Sequence, residues 1–123
     1  FFGIGWGMYW LGYRYYDFYI NDPNIIIYHA HNMYLNFFAE IGIAGALSFF
    51  YVFFAAIRTG FNKGKDKDAD DAELFSNGLA LALISVALGG LTDNVVFNVP
   101  TSILLWFTMA LIMKRESLCT LQN

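Results

Sequence analysis

The sequence predicts an all-α integral membrane protein, with about three transmembrane helices and an extracytoplasmic interfacial segment that carries a short amphipathic helix. Three observations carry that prediction. The 123 residues are 58% hydrophobic, 20% aromatic and only 14% charged, which lies outside the usual range for a soluble domain of this size. Three apolar stretches are long enough, or nearly so, to cross a hydrocarbon core of about 30 Å. The basic residues are confined to particular connections, as the positive-inside rule requires of a spanning chain.

Residues 1–40 form the extracytoplasmic, interfacial part. Its first stretch, FFGIGWGMYWLGYRYYDFY, is rich in Trp and Tyr, which favour the headgroup region, and Gly3, Gly5, Gly7 and Gly12 argue against a regular helix there. GIGWG is not a nucleotide fingerprint, because no strand precedes it and no βαβ unit follows. Residues 41–57 (IGIAGALSFFYVFFAAI) make the first span, and Phe37, Phe38 and Ala39 extend its apolar character backwards. Residues 58–73 make a polar loop with four Lys or Arg, in which alternating signs point to a solvated connection rather than a binding patch. Residues 74–91 make the second span, whose few polar side chains (Ser76, Asn77, Ser85) can turn toward other helices. After a turn at 92–98 comes the third span, 99–113, with Pro100 acceptable in a first helical turn where its missing N–H is not needed. Residues 114–123 form a tail that opens with Lys114-Arg115.

Placing the 58–73 loop and the tail in the cytoplasm puts 1–40 and 92–98 outside, with Arg14 their only basic residue. The net charge of −3 says little about partners, since five of the ten acids fall between Asp66 and Glu73. The lone Cys119 excludes an intramolecular disulfide and a multi-cysteine zinc site. With no initiator methionine and no basic n-region ahead of an apolar stretch, the sequence reads as the C-terminal piece of a longer polytopic domain. Small residues, among them Gly42, Ala44, Gly45, Ala46, Gly78, Ala80, Ala82, Ala87, Gly89 and Gly90, let helix backbones approach, and Gly42 and Gly45 permit a bend into the first span.

The chemistry is concentrated in YHAHNMYLNFFAEIG, residues 28–42. Asn32, Asn36 and Glu40 are spaced four apart and form one stripe on a helix, which His29 would join if the helix began early enough. Buried polar groups need partners, so the stripe is expected to face a cavity. His29 and His31 admit three readings. They are interfacial histidines at a helix start; or metal ligands with Glu40 or Asp93 adding oxygens, a weak signal because no third ligand stands at a diagnostic spacing; or a general base beside an amide and a carboxylate, a role suited to imidazole near neutral pH. The residue pattern by itself leaves these open.

HNMYLNFFAEIGIAGALSFF resembles the signature of the O-antigen ligase and polysaccharide polymerase family: His31-Asn32, then Tyr34-Leu35, then Glu40-Ile41-Gly42-Ile43-Ala44-Gly45 running into a span. FFGIGWGMY is similar to the segment that opens the family's large extracytoplasmic loop, and GGLTDNVVFNVP to its turn between the last two spans. The resemblance implies a bacterial inner-membrane, multi-pass glycosyltransferase. Such an enzyme transfers a glycan from undecaprenyl diphosphate to an acceptor glycan or lipid-linked sugar at the extracytoplasmic face, with no cofactor, no metal and no nucleic-acid partner. It implies His31 as the catalytic base, with Asn32 and Glu40 orienting it or binding sugar hydroxyls. Arg14 is a candidate contact to the diphosphate, and Asp93 and His29 are further candidates for the substrate site. This segment alone is expected to be inactive, because the remaining diphosphate-binding arginines would lie upstream.

Two rival classes are a transporter or channel component and a non-catalytic assembly subunit. A transporter is expected to place ionisable groups at mid-membrane beside broken helices, whereas these spans carry none and the polar groups gather at one end.

Overall fold

The computed structural model describes residues 1–16, 26–62 and 70–121, with side chains over 1–15, 26–62 and 71–114. The middle of the predicted cytoplasmic loop (63–69), residues 17–25 and the side chain of Cys119 lie outside the described residues. Among the described residues the regular elements are four helices: α1 (Tyr9–Tyr16), α2 (Met33–Gly60), α3 (Asp70–Gly89) and α4 (Val99–Leu121). Among the described residues, α2 and α3 are long and apolar enough to cross a membrane, and the apolar part of α4, Val99–Lys114, is shorter.

Helix α2 packs against both α3 and α4. Its start meets the end of α3, where the Met33 N–H donates to the Gly90 carbonyl (2.7 Å) and the Tyr34 hydroxyl to the Ala87 carbonyl (2.8 Å). Its end meets the middle of α3, where a Cβ on Gly60 would strike the Ala80 methyl and approach the Ser76 carbonyl. The two helices are therefore antiparallel, and the N-termini of α2 and α4 share one end of the bundle with the C-terminus of α3. The core between them is mostly aromatic on the α2 side: Phe37 stacks on Phe49 (4.3 Å), Tyr34 on Phe50 (5.0 Å), and Phe53 is fully buried. Leu83 of α3 and Leu105, Met109 and Ile112 of α4 close the core.

Several local expectations change. Gly12 lies within α1, so an eight-residue helix follows the glycine-rich start, while Gly3, Gly5 and Gly7 do take positive φ. Helix α4 runs to Leu121, past the predicted span end at Met113, because KRESLCTL contains no Gly or Pro to stop it. Helix α3 starts four residues before Leu74, with Asp71 and Glu73 near its N-terminus, where the helix dipole favours acids. Of the small residues, Ala46 and Ala80 are buried and Gly90 lies against Met33, but Gly78 faces open space and Ala44 and Ala82 are exposed.

The bend predicted at Gly42 and Gly45 sits at Gly42 alone, whose φ of 73° and ψ of −179° break the helical run inside α2. A break of this kind strips intrahelical partners from nearby backbone groups, and these must be satisfied elsewhere. The first five residues do so. Ile4 N–H donates to the Ala39 carbonyl (3.0 Å), Gly5 N–H to the Glu40 carbonyl (2.9 Å), and the Phe1 carbonyl accepts from Ile43 N–H (3.2 Å). Backbone meets backbone closely enough that a Cβ on Gly3 or Gly42 would collide with the opposite strand of chain. Beyond the break, Ile43–Gly60 rises about 27 Å, close to the thickness of a hydrocarbon core.

Candidate functional site: a His-His-Asp cluster beside a cavity

The end of the bundle shared by the start of α2 and the α3–α4 turn collects most of the polar chemistry. Asn32 fixes the geometry as the N-cap of α2: its Oδ1 accepts from Leu35 N–H (3.0 Å) and its Nδ2 donates to the Leu91 carbonyl (3.0 Å). One amide thus satisfies an orphan helix donor and stitches α2 to the turn after α3. Its side chain is committed to positioning the segment on either side of it. Because the helix begins at Met33, His29 and His31 lie in the irregular lead-in and outside the helical stripe.

That lead-in lies across the α3–α4 turn. His31 Nδ1 is 3.2 Å from Asp93 Oδ1, and His29 Nδ1 is 3.9 Å from the same oxygen. The histidine rings meet edge to face at 5.1 Å, and the other side of His29 rests on Phe97 at 4.3 Å. Asp93 Oδ1 also accepts from Asn94 N–H (2.7 Å). That backbone bond, and next the contact with His31, hold the Asp93 carboxyl below its ordinary range, so it is a carboxylate at neutral pH. The His31 side chain is 76% exposed and that of His29 only 18%. His31 presents its ring to whatever approaches this end, and His29 is packed behind it.

Glu40 and Asn36 belong to a neighbouring feature. Both are 4% exposed. They line a cavity of about 150 Å³ together with Trp6, Phe37, Asn94 and Phe97, so two of the three stripe residues face a cavity, while Asn32 does not line it and caps α2 instead. Asn36 Oδ1 accepts from Ala30 N–H (3.0 Å), which pins the lead-in, and Glu40 Oε1 accepts from Tyr9 N–H (3.2 Å) at the start of α1. Among the described residues, Asn94 Oδ1 is buried without a protein partner. Asn94 follows Asp93 and Phe97 backs His29, so the cavity and the cluster are contiguous. Arg14 stands in the last turn of α1 and does not line the cavity.

Of the residues that the sequence offers, His29, His31 and Asp93 come together directly, Asn32 holds them in register, Glu40 lines the adjoining cavity, and Arg14, on α1, does not line it. Trp6, Asn94 and Phe97 join the site without standing among the candidate residues read from the sequence. Asn94 had a signal in its place directly after Asp93, but no periodicity links Trp6 to a cavity formed by a fold-back of the chain.

What the fold defines, over the described residues, is an all-helical arrangement with two helices long and apolar enough to span a membrane and a histidine–carboxylate cluster at one end of the bundle. No protein-family model, curated protein or solved structure matches the chain.

Proposed function

We propose that this chain is part of a many-spanning bacterial inner-membrane glycosyltransferase of the O-antigen ligase and polysaccharide polymerase type. It moves a glycan from undecaprenyl diphosphate to an acceptor hydroxyl on another glycan or a lipid-linked sugar, outside the cytoplasmic membrane. Support comes from the resemblance of the His31–Gly45 stretch to that family and, above all, from one contact: Asp93 Oδ1 lies 3.2 Å from His31 Nδ1 on an exposed ring.

A carboxylate on Nδ1 holds the imidazole proton there and leaves Nε2 as a lone-pair acceptor, the arrangement that makes histidine a general base. In the proposed step the acceptor oxygen attacks the anomeric carbon, its proton passes to His31 Nε2, and the bond from the anomeric carbon to the phosphate oxygen breaks. The leaving group departs as undecaprenyl diphosphate. Asp93, read from sequence as a substrate contact, acts in this account as the residue that orients the base. The adjoining cavity suits a sugar ring: Trp6 and Phe97 offer apolar faces, and Asn36, Glu40 and the unpartnered Asn94 oxygen offer polar groups at fixed positions.

The test is Asp93→Asn in the full-length protein. An amide on Nδ1 no longer enforces the productive tautomer, so glycan transfer is expected to fall by about 10² to 10⁴-fold, the usual contribution of a general base, with protein level and oligomeric state unchanged. Undiminished transfer would remove the orienting role and with it the main structural support for this reading.

A further inference from the structure

The same cluster carries a second chemistry. The donor atoms of His29, His31 and Asp93 all lie within 4.8 Å of one another. Four ligands held tetrahedrally at the zinc–nitrogen distance of about 2.0–2.1 Å stand about 3.3 Å apart. The two histidine-to-carboxylate separations already measured, 3.2 Å and 3.9 Å, bracket that value. Closing the remaining gap takes only rotation of side chains, and His31 and Asp93 are free enough at the surface to make it. The backbone beneath them is held by the Asn32 bonds to Leu35 and Leu91 and by the Ala30–Asn36 bond.

We propose that His29, His31 and Asp93 form a binding site for a divalent transition-metal ion of the zinc class, and that the bound ion switches off His31 as a base. Two imidazoles and one carboxylate form a nitrogen-rich donor set that prefers zinc, cobalt, nickel or copper to magnesium or calcium. Exposure of His31 and Asp93 leaves the outer coordination positions to water. The second shell is in place: Asn94 N–H holds the ligating oxygen, and Phe97 backs the His29 ring. On binding, the single proton of each neutral imidazole moves from Nδ1 to Nε2 by way of water, which frees Nδ1 for the ion and releases no net proton; for His29 this ends the contact with the Ala30 carbonyl at 3.2 Å.

The consequence for His31 follows from its two ring nitrogens. Metal on Nδ1 leaves the only ring proton on Nε2, where no lone pair remains to accept a proton from an acceptor hydroxyl. The site itself stands on geometry alone; the switching rests on the proposed function.

The experiment uses the full-length, tag-free protein in detergent. Co²⁺ is titrated while its d–d absorption is followed, and Zn²⁺ is then added in competition. One Co²⁺ per chain in a nitrogen–oxygen site, displaced by Zn²⁺ and weakened about 100-fold or more in both His29→Ala and Asp93→Ala, is expected, since even second-shell changes cost 10 to 100-fold. No binding, or binding indifferent to both substitutions, overturns the site. Glycan transfer is then measured with and without Zn²⁺, each variant serving as its own reference. Zn²⁺ is expected to inhibit the unsubstituted protein and to lose that effect in His29→Ala. Equal Zn²⁺ sensitivity in the two overturns the switch. Should His31→Ala retain full transfer, the proposed function fails while the Co²⁺ titration still decides the site.

Discussion

Replacing Gly42 by alanine tests the join between the N-terminal segment and α2, on which the cavity depends. At φ 73° and ψ −179° Gly42 occupies a region essentially closed to other residues, and an added Cβ would lie against the Phe1 carbonyl and the backbone of Phe2 and Gly3. The protein has two responses. Keeping the break costs about 1–3 kcal/mol of backbone strain in addition to displacing residues 1–3. Straightening α2 restores helical bonds to the Ala39 and Glu40 carbonyls but releases the bonds those groups make to Ile4 and Gly5, along with the Ile43–Phe1 bond. Those three bonds are worth about 1 kcal/mol each, and the two regained offset most of that loss. The cheaper response is to straighten, at a net cost of about 1–2 kcal/mol, with the first eight residues lifting from α2 and exposing Glu40 and Phe37. Limited proteolysis of the purified protein should then cleave ahead of Tyr9 at least ten times faster than in the unsubstituted chain. Gly45→Ala is the control: Gly45 is helical and an added methyl meets only the Ile41 side chain, at 3.0–3.2 Å, so its cleavage should stay within about twofold. Equal protection of Gly42→Ala and the unsubstituted protein would refute the role given to the break.

Glu40→Ala removes the acceptor for Tyr9 N–H and should loosen α1, costing about 1–3 kcal/mol in thermal unfolding; Glu40→Gln keeps an oxygen in place and should recover most of it. Both substitutions giving the same loss would mean that the negative charge, rather than the hydrogen bond, matters. For topology, Thr92→Cys in a Cys119→Ser background should label from outside intact cells with an impermeant maleimide and Asp71→Cys should not, following the placement of Lys and Arg; the reverse pattern would invert the chain. His29→Ala, assayed without added metal, should reduce glycan transfer far less than His31→Ala, because His29 is packed against Phe97 with its side chain only 18% exposed.

The helical class was legible because uncharged blocks of this length leave few alternatives. The polar end of the bundle was legible in part. Spacing by four put Asn32, Asn36 and Glu40 on one helix, and Asn36 and Glu40 do share a cavity. Spacing could not show that Asn32 is the cap and that the helix begins after it, since this depends on the Leu91 carbonyl arriving from α3. The meeting of His31 with Asp93 bridges 62 positions and has no local signal. The same limit hid the fold-back of Phe1–Gly5 onto Ala39–Ile43: glycines with positive φ announced irregular backbone, but not what it would pair with. Helix α1 has no clear mark in the sequence because Gly12 follows closely on three other glycines, although helical geometry tolerates a single glycine at a cost of about 1 kcal/mol.

The central claim is that His31 is the base of a glycan transfer. It is met most directly by expressing His31→Ala in the full-length protein, matching protein levels and membrane insertion to the unsubstituted form, and measuring the yield of ligated or polymerised glycan on gels. The account predicts a loss of about 10² to 10⁴-fold with insertion intact. Transfer equal to that of the unsubstituted protein would contradict it and return the His31–Asp93 pair to a purely structural part.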